Sequence, residues 1–155
     1  GAEVRNRMAN KKQVSAAESW ERSLTAVSLL LRKFDLSMQA EAEISIIWYD
    51  VLLHLNLAEG KKMRMQALAE SLILTRSGVT RLVDRIEKAG LVRREAAAED
   101  RRGYYAILTD EGLNTLNRAQ KKHRQDIREF YGSHLNEKER QTLFLLMSKV
   151  LDGNG

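Results

Sequence analysis

The 155-residue sequence predicts a mainly α fold with one small β-hairpin: a winged helix-turn-helix carried on a helical dimerisation platform built from both chain ends. Apolar residues recur at three- and four-residue steps over most of the chain, the mark of amphipathic helices. Two of these helical segments, Met65 to Leu72 and Arg76 to Ala89, are separated by only a few residues. The second is followed at once by two strand-like runs with arginines between and within them.

The first helix spans Glu18 to Phe34, where Trp20, Leu24, Val27, Leu31 and Phe34 form a seam at 4-3-4-3 spacing that another helix must cover. Leu36 to Ala42 joins it to a second helix, Glu43 to Ala58, whose apolar residues run nearly all round and make it central. Glu59-Gly60-Lys61 is a turn into the next unit. Met65 to Leu72 directs Ala67, Leu68 and Leu72 to a core, and a tight Ile73-Leu74 connection leads to Thr75 as the N-cap of the helix from Arg76 to Ala89. In that helix Val79, Leu82, Val83 and Ile86 form the buried stripe. Gly90 stops it in a left-handed conformation. Leu91 to Glu95 and Gly103 to Leu108 are the hairpin strands, with a polar tip from Ala96 to Arg102. Thr109 caps a long helix reaching about His134, and Asn136, with Glu139 three residues on, caps a last helix ending near Leu151. Gly1 to Val14 and Asp152 to Gly155 are expected to be disordered. The chain thus divides into 15–58 (dimerisation and linking helices), 59–112 (winged lobe) and 113–151 (dimerisation helices). The last helix carries the apolar run Leu143 to Met147 together with Val150 and Leu151, more apolar surface than a small monomer covers, so a second copy is expected over it.

Charge indicates what the winged unit touches. Thr75 to Arg102 holds eight basic and five acidic residues, a net of +3 out of +5 for the whole chain. Arg76, Ser77, Thr80, Arg81 and Arg85 lie on the polar face of the second helix, opposite its apolar stripe, with Thr75 at its start. A helix start offering arginines and hydroxyls fits the major groove, where guanidinium groups pair with guanine O6 and N7. Arg101 and Arg102 at the hairpin tip suit the neighbouring backbone or minor groove.

The string TRSGVTRLVDRIEKAGLVRR, followed by EDRRG and LTDEG, resembles the multiple antibiotic resistance regulator (MarR) family, densely from about Ala42 to Gly112. The resemblance implies a homodimeric transcription regulator, usually a repressor, that binds a near-palindromic operator and is released by a small molecule. It implies that Asp100, Arg101 and Arg102 match the family's wing motif, that Arg102 is the wing arginine, and that Asp84 in the recognition helix holds it. Two departures stand out. Ile73 occupies a turn position where the family commonly has glycine, and the wing tip Ala96-Ala97-Ala98 lacks proline, so a mobile wing is expected. The family's effectors are often phenolic or aromatic acids. By resemblance, Trp48 and Tyr49 would stack on such a ring while His54, with Arg22 or Ser23, holds its polar group.

Other functions are disfavoured. No nucleophile with its base, carboxylate pair in a cleft or phosphate-binding glycine loop is legible, so an enzyme is not expected. The chain has no cysteine, which excludes disulfides and thiolate metal sites and favours a cytoplasmic location. His54, His123 and His134 are scattered, so a metal-responsive regulator would need carboxylates such as Glu18 or Glu43; no metal or other cofactor is expected. A winged module that binds only protein need not keep Arg76, Arg81, Arg85 and Arg102 together. No apolar run is long enough to span a bilayer, and the N-terminal segment lacks a signal-peptide core.

Overall fold

A computed structural model describes residues 13–155; the amino-terminal stretch 1–12, and with it most of the tail expected to be disordered, lies outside the described residues. Helix α1 (Ala16–Ala42) starts at a capping box in which Ser15 Oγ accepts from the Glu18 N–H at 3.1 Å and Glu18 Oε2 accepts from the Ser15 N–H at 3.4 Å. The sequence reading ends this helix at Phe34, yet it continues through the supposed joining segment. Phe34, Met38 and Ala42 fall at four-residue steps and are buried, so one apolar stripe carries the helix to its end. Glu43, at φ 60, closes it. Asp35 then ties α1 to the next helix by accepting from the Ile46 N–H at 2.9 Å.

Helix α2 (Ile46–Leu57) begins three residues later than the sequence suggests, because Ser45 supplies the cap, accepting from the Trp48 N–H at 3.1 Å. It is the central helix, burying Tyr49, Asp50, Val51, Leu52 and Leu55. A short 3-10 turn, Glu59–Lys61, leads to β1 (Lys62–Arg64), a strand the sequence reading does not contain. Three residues are too few to show alternation; β1 exists through its antiparallel partner, with Met63 opposite Ala106.

Helix α3 (Met65–Ser71), a seven-residue connection, helix α4 (Val79–Lys88), and strands β2 (Val92–Ala96) and β3 (Tyr104–Leu108) complete the winged unit. The sheet has order β1-β3-β2, so the expected hairpin is the larger part of a three-stranded antiparallel sheet. Gly90 adopts φ 80 after α4, as its position predicts. Leu52, Leu55, Leu68, Leu72, Val83, Ile86, Val92 and Ala106 fill one core between α2, α3, α4 and the sheet. Thr109 caps α5 (Asp110–Asp126), accepting from the Gly112 N–H at 3.0 Å. A π-helical turn, Ile127–Tyr131, and a 3-10 turn, Gly132–His134, precede α6 (Glu137–Asp152). Asn136 and Glu139 form the expected capping box. Asp152, expected in a disordered end, is the last residue of that helix, and Asn154 turns back onto the carbonyl of Val150 at 2.8 Å.

The two ends differ from the middle. The outer half of α1 leaves Trp20 64% exposed, and α6 buries none of its residues, with Phe144 at 72% and Leu151 at 70% exposure.

Candidate nucleic-acid interface

The connection between α3 and α4 differs from the sequence expectation. Thr75 does not cap a helix starting at Arg76; its hydroxyl donates to the Ser77 carbonyl at 3.2 Å, and α4 starts at Val79 with Gly78 at the N-cap position, φ 68. Glycine is used where the chain turns into the recognition helix, not at Ile73. Arg76 and Ser77 therefore stand on an exposed loop rather than on the helix. Thr80, Arg81 and Arg85 project from α4 into solvent while Val79, Leu82, Val83 and Ile86 are buried, the stripe read from the sequence.

The turn is instead fixed by a residue to which sequence reasoning assigned no role. Asp50, on α2 and 6% exposed, accepts through Oδ2 from the N–H groups of Ile73 at 3.0 Å and Leu74 at 3.2 Å. Its legible signal was a lone carboxylate in a helix apolar nearly all round, since a buried carboxylate needs partners.

The wing is fastened to the helix differently from the family-based expectation. Asp84 pairs with Arg94 of β2, not with Arg102. Arg94 also donates through Nη2 to the Thr80 carbonyl at 3.1 Å, and its N–H to Glu87 Oε2 at 2.8 Å. β2 passes close to α4, whereas Arg102 lies beyond the strands on the tip and is exposed, as is Arg101. Asp100 organises the tip: Oδ1 accepts from the Arg102 N–H at 3.0 Å, and Oδ2 lies 3.4 Å from Arg64 Nη2. Arg64 Nη1 is 3.6 Å from Glu99, and Tyr105 donates its hydroxyl to Glu99 at 2.6 Å. That bond holds the Glu99 carboxyl below the usual carboxylate range and raises the Tyr105 phenol. The proline-free tip is closed by its own hydrogen bonds, Ala97 N–H to Gly103 O at 2.9 Å and Gly103 N–H to Asp100 O at 3.1 Å. A side chain at position 103 would meet the Arg64 guanidinium at 2.6 Å, so glycine there admits that arginine beneath the wing. Arg64, Thr80, Arg94, Arg102 and Tyr104 border one cleft of about 410 Å³, which brings Arg102 of the tip to the start of α4.

The residues suggested for an effector are less well gathered. Trp48 is half-buried, while the Tyr49 ring is buried 5.2 Å from that of His123, and burial pushes its phenol up. His54 Nδ1 is 2.7 Å from the Asp50 carbonyl oxygen and 3.1 Å from Asp50 Oδ1. Ser23 donates to the carbonyl of Ser19 at 2.9 Å, and Arg22 is exposed. Arg22 lies twelve residues before Phe34 on α1, about 18 Å along the axis. Phe34 is the residue that meets the Tyr49–His123 pair, at 5.0 Å from His123, so one chain does not bring Arg22 and Ser23 to Trp48, Tyr49 and His54.

The three histidines stand apart: His123 packs on Phe34 and Tyr49, His54 sits against Asp50, and His134 ends the 3-10 turn. Glu18 is spent in its capping box and Glu43 in the left-handed end of α1. Among the described residues no group of three or more metal-ligating side chains comes together, and no helix is long and apolar enough to cross a membrane.

A helix-turn-helix with an arginine-bearing β wing, carried between long helices, defines a winged-helix regulator. The MarR family profile matches residues 43–103. PrsX of Escherichia coli, an HTH-type transcriptional regulator, is 34% identical over 66% of this chain and 61% of its own length, so the alignment spans about three fifths of that relative. An uncharacterized HTH-type transcriptional regulator of Bacillus cereus is 30% identical over 77% of this chain and 73% of its own. Sco3205 of Streptomyces coelicolor, a MarR family transcriptional regulator solved in complex with DNA, superposes with a TM-score of 0.80 at 32% identity, covering 93% of this chain and 92% of that one. The chain belongs to the MarR family of transcriptional regulators, which is not a family of enzymes.

Proposed function

We propose that this chain is a homodimeric repressor that binds a near-palindromic double-stranded DNA operator in the cytoplasm and is released by a small aromatic or phenolic acid. The supporting observation is the meeting of the wing tip with the start of α4. Thr80 at the start of α4 and Arg102 on the wing border one cleft, while Arg81, Arg85 and Arg76 stand exposed on the helix and the loop before it. In this reading Thr75, Arg76, Ser77, Thr80, Arg81 and Arg85 serve the major groove, Arg101 and Arg102 the adjacent backbone or minor groove, and Asp84 and Asp100 support the wing. The domain division follows: 59–112 reads DNA, and 15–58 with 113–151 pairs two copies. The apolar surface left bare on the outer half of α1 and on α6 is what a second copy would cover, spacing two recognition helices by one DNA turn.

Titration with an operator duplex and a scrambled duplex tests the reading. Arg81→Ala is expected to cost about 1–3 kcal/mol on the operator and to change base preference, whereas Arg102→Ala weakens both duplexes evenly. Unchanged affinity in both variants would remove the DNA face. For the effector, α2 supplies the half-buried Trp48 and His54 and the buried Tyr49, with Arg22 and Ser23 supplied, in this reading, across the dimer. An acid bound there acts through differential affinity, so operator DNA must weaken acid binding by the factor the acid weakens DNA. Calorimetric titration of aromatic acids into free and operator-bound protein measures that factor, and equal affinities would place the regulatory input elsewhere.

A further inference from the structure

We infer that Asp50 is a positioning residue for sequence reading: its buried carboxylate, on the central helix, latches the turn whose following loop carries Arg76 and Ser77. The inference rests on the DNA-reading role proposed above and names a residue outside the DNA face on which that reading depends.

Between Leu72, 2% exposed, and Val79, 6% exposed, six residues cross from α3 to α4 without regular structure. Packing does little to hold them. Ile73 is 79% exposed, Arg76, Ser77 and Gly78 are exposed, and only Leu74 and Thr75 are half-buried. The fixed point is electrostatic. Two consecutive N–H groups, those of Ile73 and Leu74, converge on Asp50 Oδ2 at 3.0 and 3.2 Å. Consecutive main-chain N–H groups of this kind form an anion-binding nest, and here the anion is a side chain of the same molecule. The second oxygen, Oδ1, faces His54 Nδ1 at 3.1 Å, so both oxygens are engaged and the carboxylate cannot swing away without losing a partner. Residues 49 to 52 are buried around it, which strengthens each bond by excluding water.

The consequence falls on specificity. Arg76 and Ser77 sit two and three residues beyond Leu74, so the latch determines where the loop begins and how widely its reading groups range. Sequence-independent binding draws on the arginines of β2 and of the wing tip, which hang from the sheet and not from this turn. Charge-assisted hydrogen bonds of this type shift an equilibrium by about tenfold or more each. Releasing the turn is therefore expected to weaken the selected site much more than random DNA.

The experiment uses the full chain and a duplex selected by it from a random-sequence pool, with a scrambled duplex alongside. Asp50→Ala is expected to lower affinity for the selected duplex about tenfold or more and for the scrambled duplex less than about twofold. Amide hydrogen exchange at Ile73 and Leu74 should accelerate. Asp50→Asn, whose amide oxygen still accepts from both N–H groups but without the charge, should fall between the alanine variant and the unsubstituted chain in selectivity and protection, and an asparagine variant no better than alanine would overturn the inference. Should the alanine variant fail to fold, Asp50→Glu carries the same test, because it keeps the charge but moves the oxygens by one methylene. Selectivity equal to that of the unsubstituted chain, parallel losses on both duplexes, or unprotected Ile73 and Leu74 amides in the unsubstituted chain would each overturn the inference. No preference of the unsubstituted chain for any selected duplex would overturn the DNA-reading role itself; the two failures are separable because amide protection is measured without DNA.

Discussion

Arg94, on the strand leaving the recognition helix, is ion-paired with Asp84 near the middle of that helix, and the same guanidinium reaches back to the carbonyl of Thr80 one turn earlier. One side chain thus staples the sheet to the first turn of α4, the turn that presents Thr80 and Arg81 to solvent. Because Asp84 is half-exposed, the ion pair itself is worth about 0.5–1 kcal/mol of stability. Its larger effect is geometric: Asp84→Ala removes the anion that fixes the Arg94 guanidinium against α4, leaving β2 held there by the Arg94 N–H on Glu87 and the Thr80 carbonyl. We expect little change in melting temperature but a loss of affinity for operator DNA, with Arg94→Ala, which also loses the bond to the Thr80 carbonyl, costing at least as much and the double variant no worse than Arg94→Ala. Additive losses in that double-mutant cycle would show that the two residues act separately.

The parts of the fold legible in the sequence are those set by neighbours along the chain. The buried stripe of α4, the caps at Thr109 and Asn136, and the left-handed Gly90 each follow from a local pattern, and each is present. What was not legible depends on distant partners. β1 is three residues given meaning by β3, more than forty positions away. Thr75 is a sound local cap, but the turn before it is taken by Asp50 from another helix, so α4 starts after Gly78 instead. Asp84 had two arginines within plausible reach, and only the path of β2 selects Arg94 over Arg102. The exposed arginines of the site were readable, and so were Asp84 and Asp100 as carboxylates of the wing; the partner of Asp84 and the part played by Asp50 were not.

Among the glycines of the described residues, Gly112 sits in the tightest approach of backbone to backbone. A Cβ there would lie 2.0 Å from the Leu91 carbonyl oxygen and 2.8 Å from Leu108 Cδ1, and that carbonyl already accepts the Thr109 N–H at 3.2 Å. The start of α5 is therefore docked on the segment that enters β2, and a side chain must push them apart. Gly112→Ala is expected to cost about 2–3 kcal/mol and lower the melting temperature by roughly 5–10 °C. Gly132→Ala, whose Cβ would meet Ile127 O at 3.6 Å in helical backbone, should change stability by less than about 0.5 kcal/mol. Equal effects in thermal melts would refute the docking argument.

The proposed dimer makes a demand on α6. Within one chain this helix buries none of its residues, so charges placed on it disturb no core of that chain. Phe144→Glu combined with Leu151→Glu should leave the circular dichroism of the chain unchanged while converting a dimer to a monomer in sedimentation, because a shared apolar face cannot bury unpaired carboxylates. Operator affinity should fall with it, since two half-sites are no longer held together. A variant that sediments as the parent does would remove α6 from the interface.

His123 gives the fold a dependence on pH whose sign follows from its surroundings. Its ring lies between Phe34 of α1, at 5.0 Å, and Tyr49 of α2, at 5.2 Å, and burial lowers its pKa, opposed by the nearby Asp126 carboxylate. Asp126 is itself buried and paired with Lys122 at 3.2 Å, which limits that opposition. Tyr49, its phenol raised by burial, stays neutral across this range. In the unfolded chain the imidazole titrates near its ordinary value of about 6.5, whereas in the folded chain it resists protonation until lower pH. Above about 6.5 both states are neutral and His123 contributes no pH dependence; as pH falls below that value the unfolded state takes up the proton first, and stability declines until the folded value is passed. The melting temperature is therefore expected to drop between pH 7.5 and 5.5, and to drop less in His123→Gln, which keeps a polar group but cannot ionise. Since α1, α2 and α5 meet at this ring, the same acidification should loosen the junction between the end helices and the winged unit, seen as faster amide exchange around Phe34 and Tyr49. Equal pH slopes in the parent and the glutamine variant would mean that the junction tolerates the charged ring and that acid sensitivity arises elsewhere.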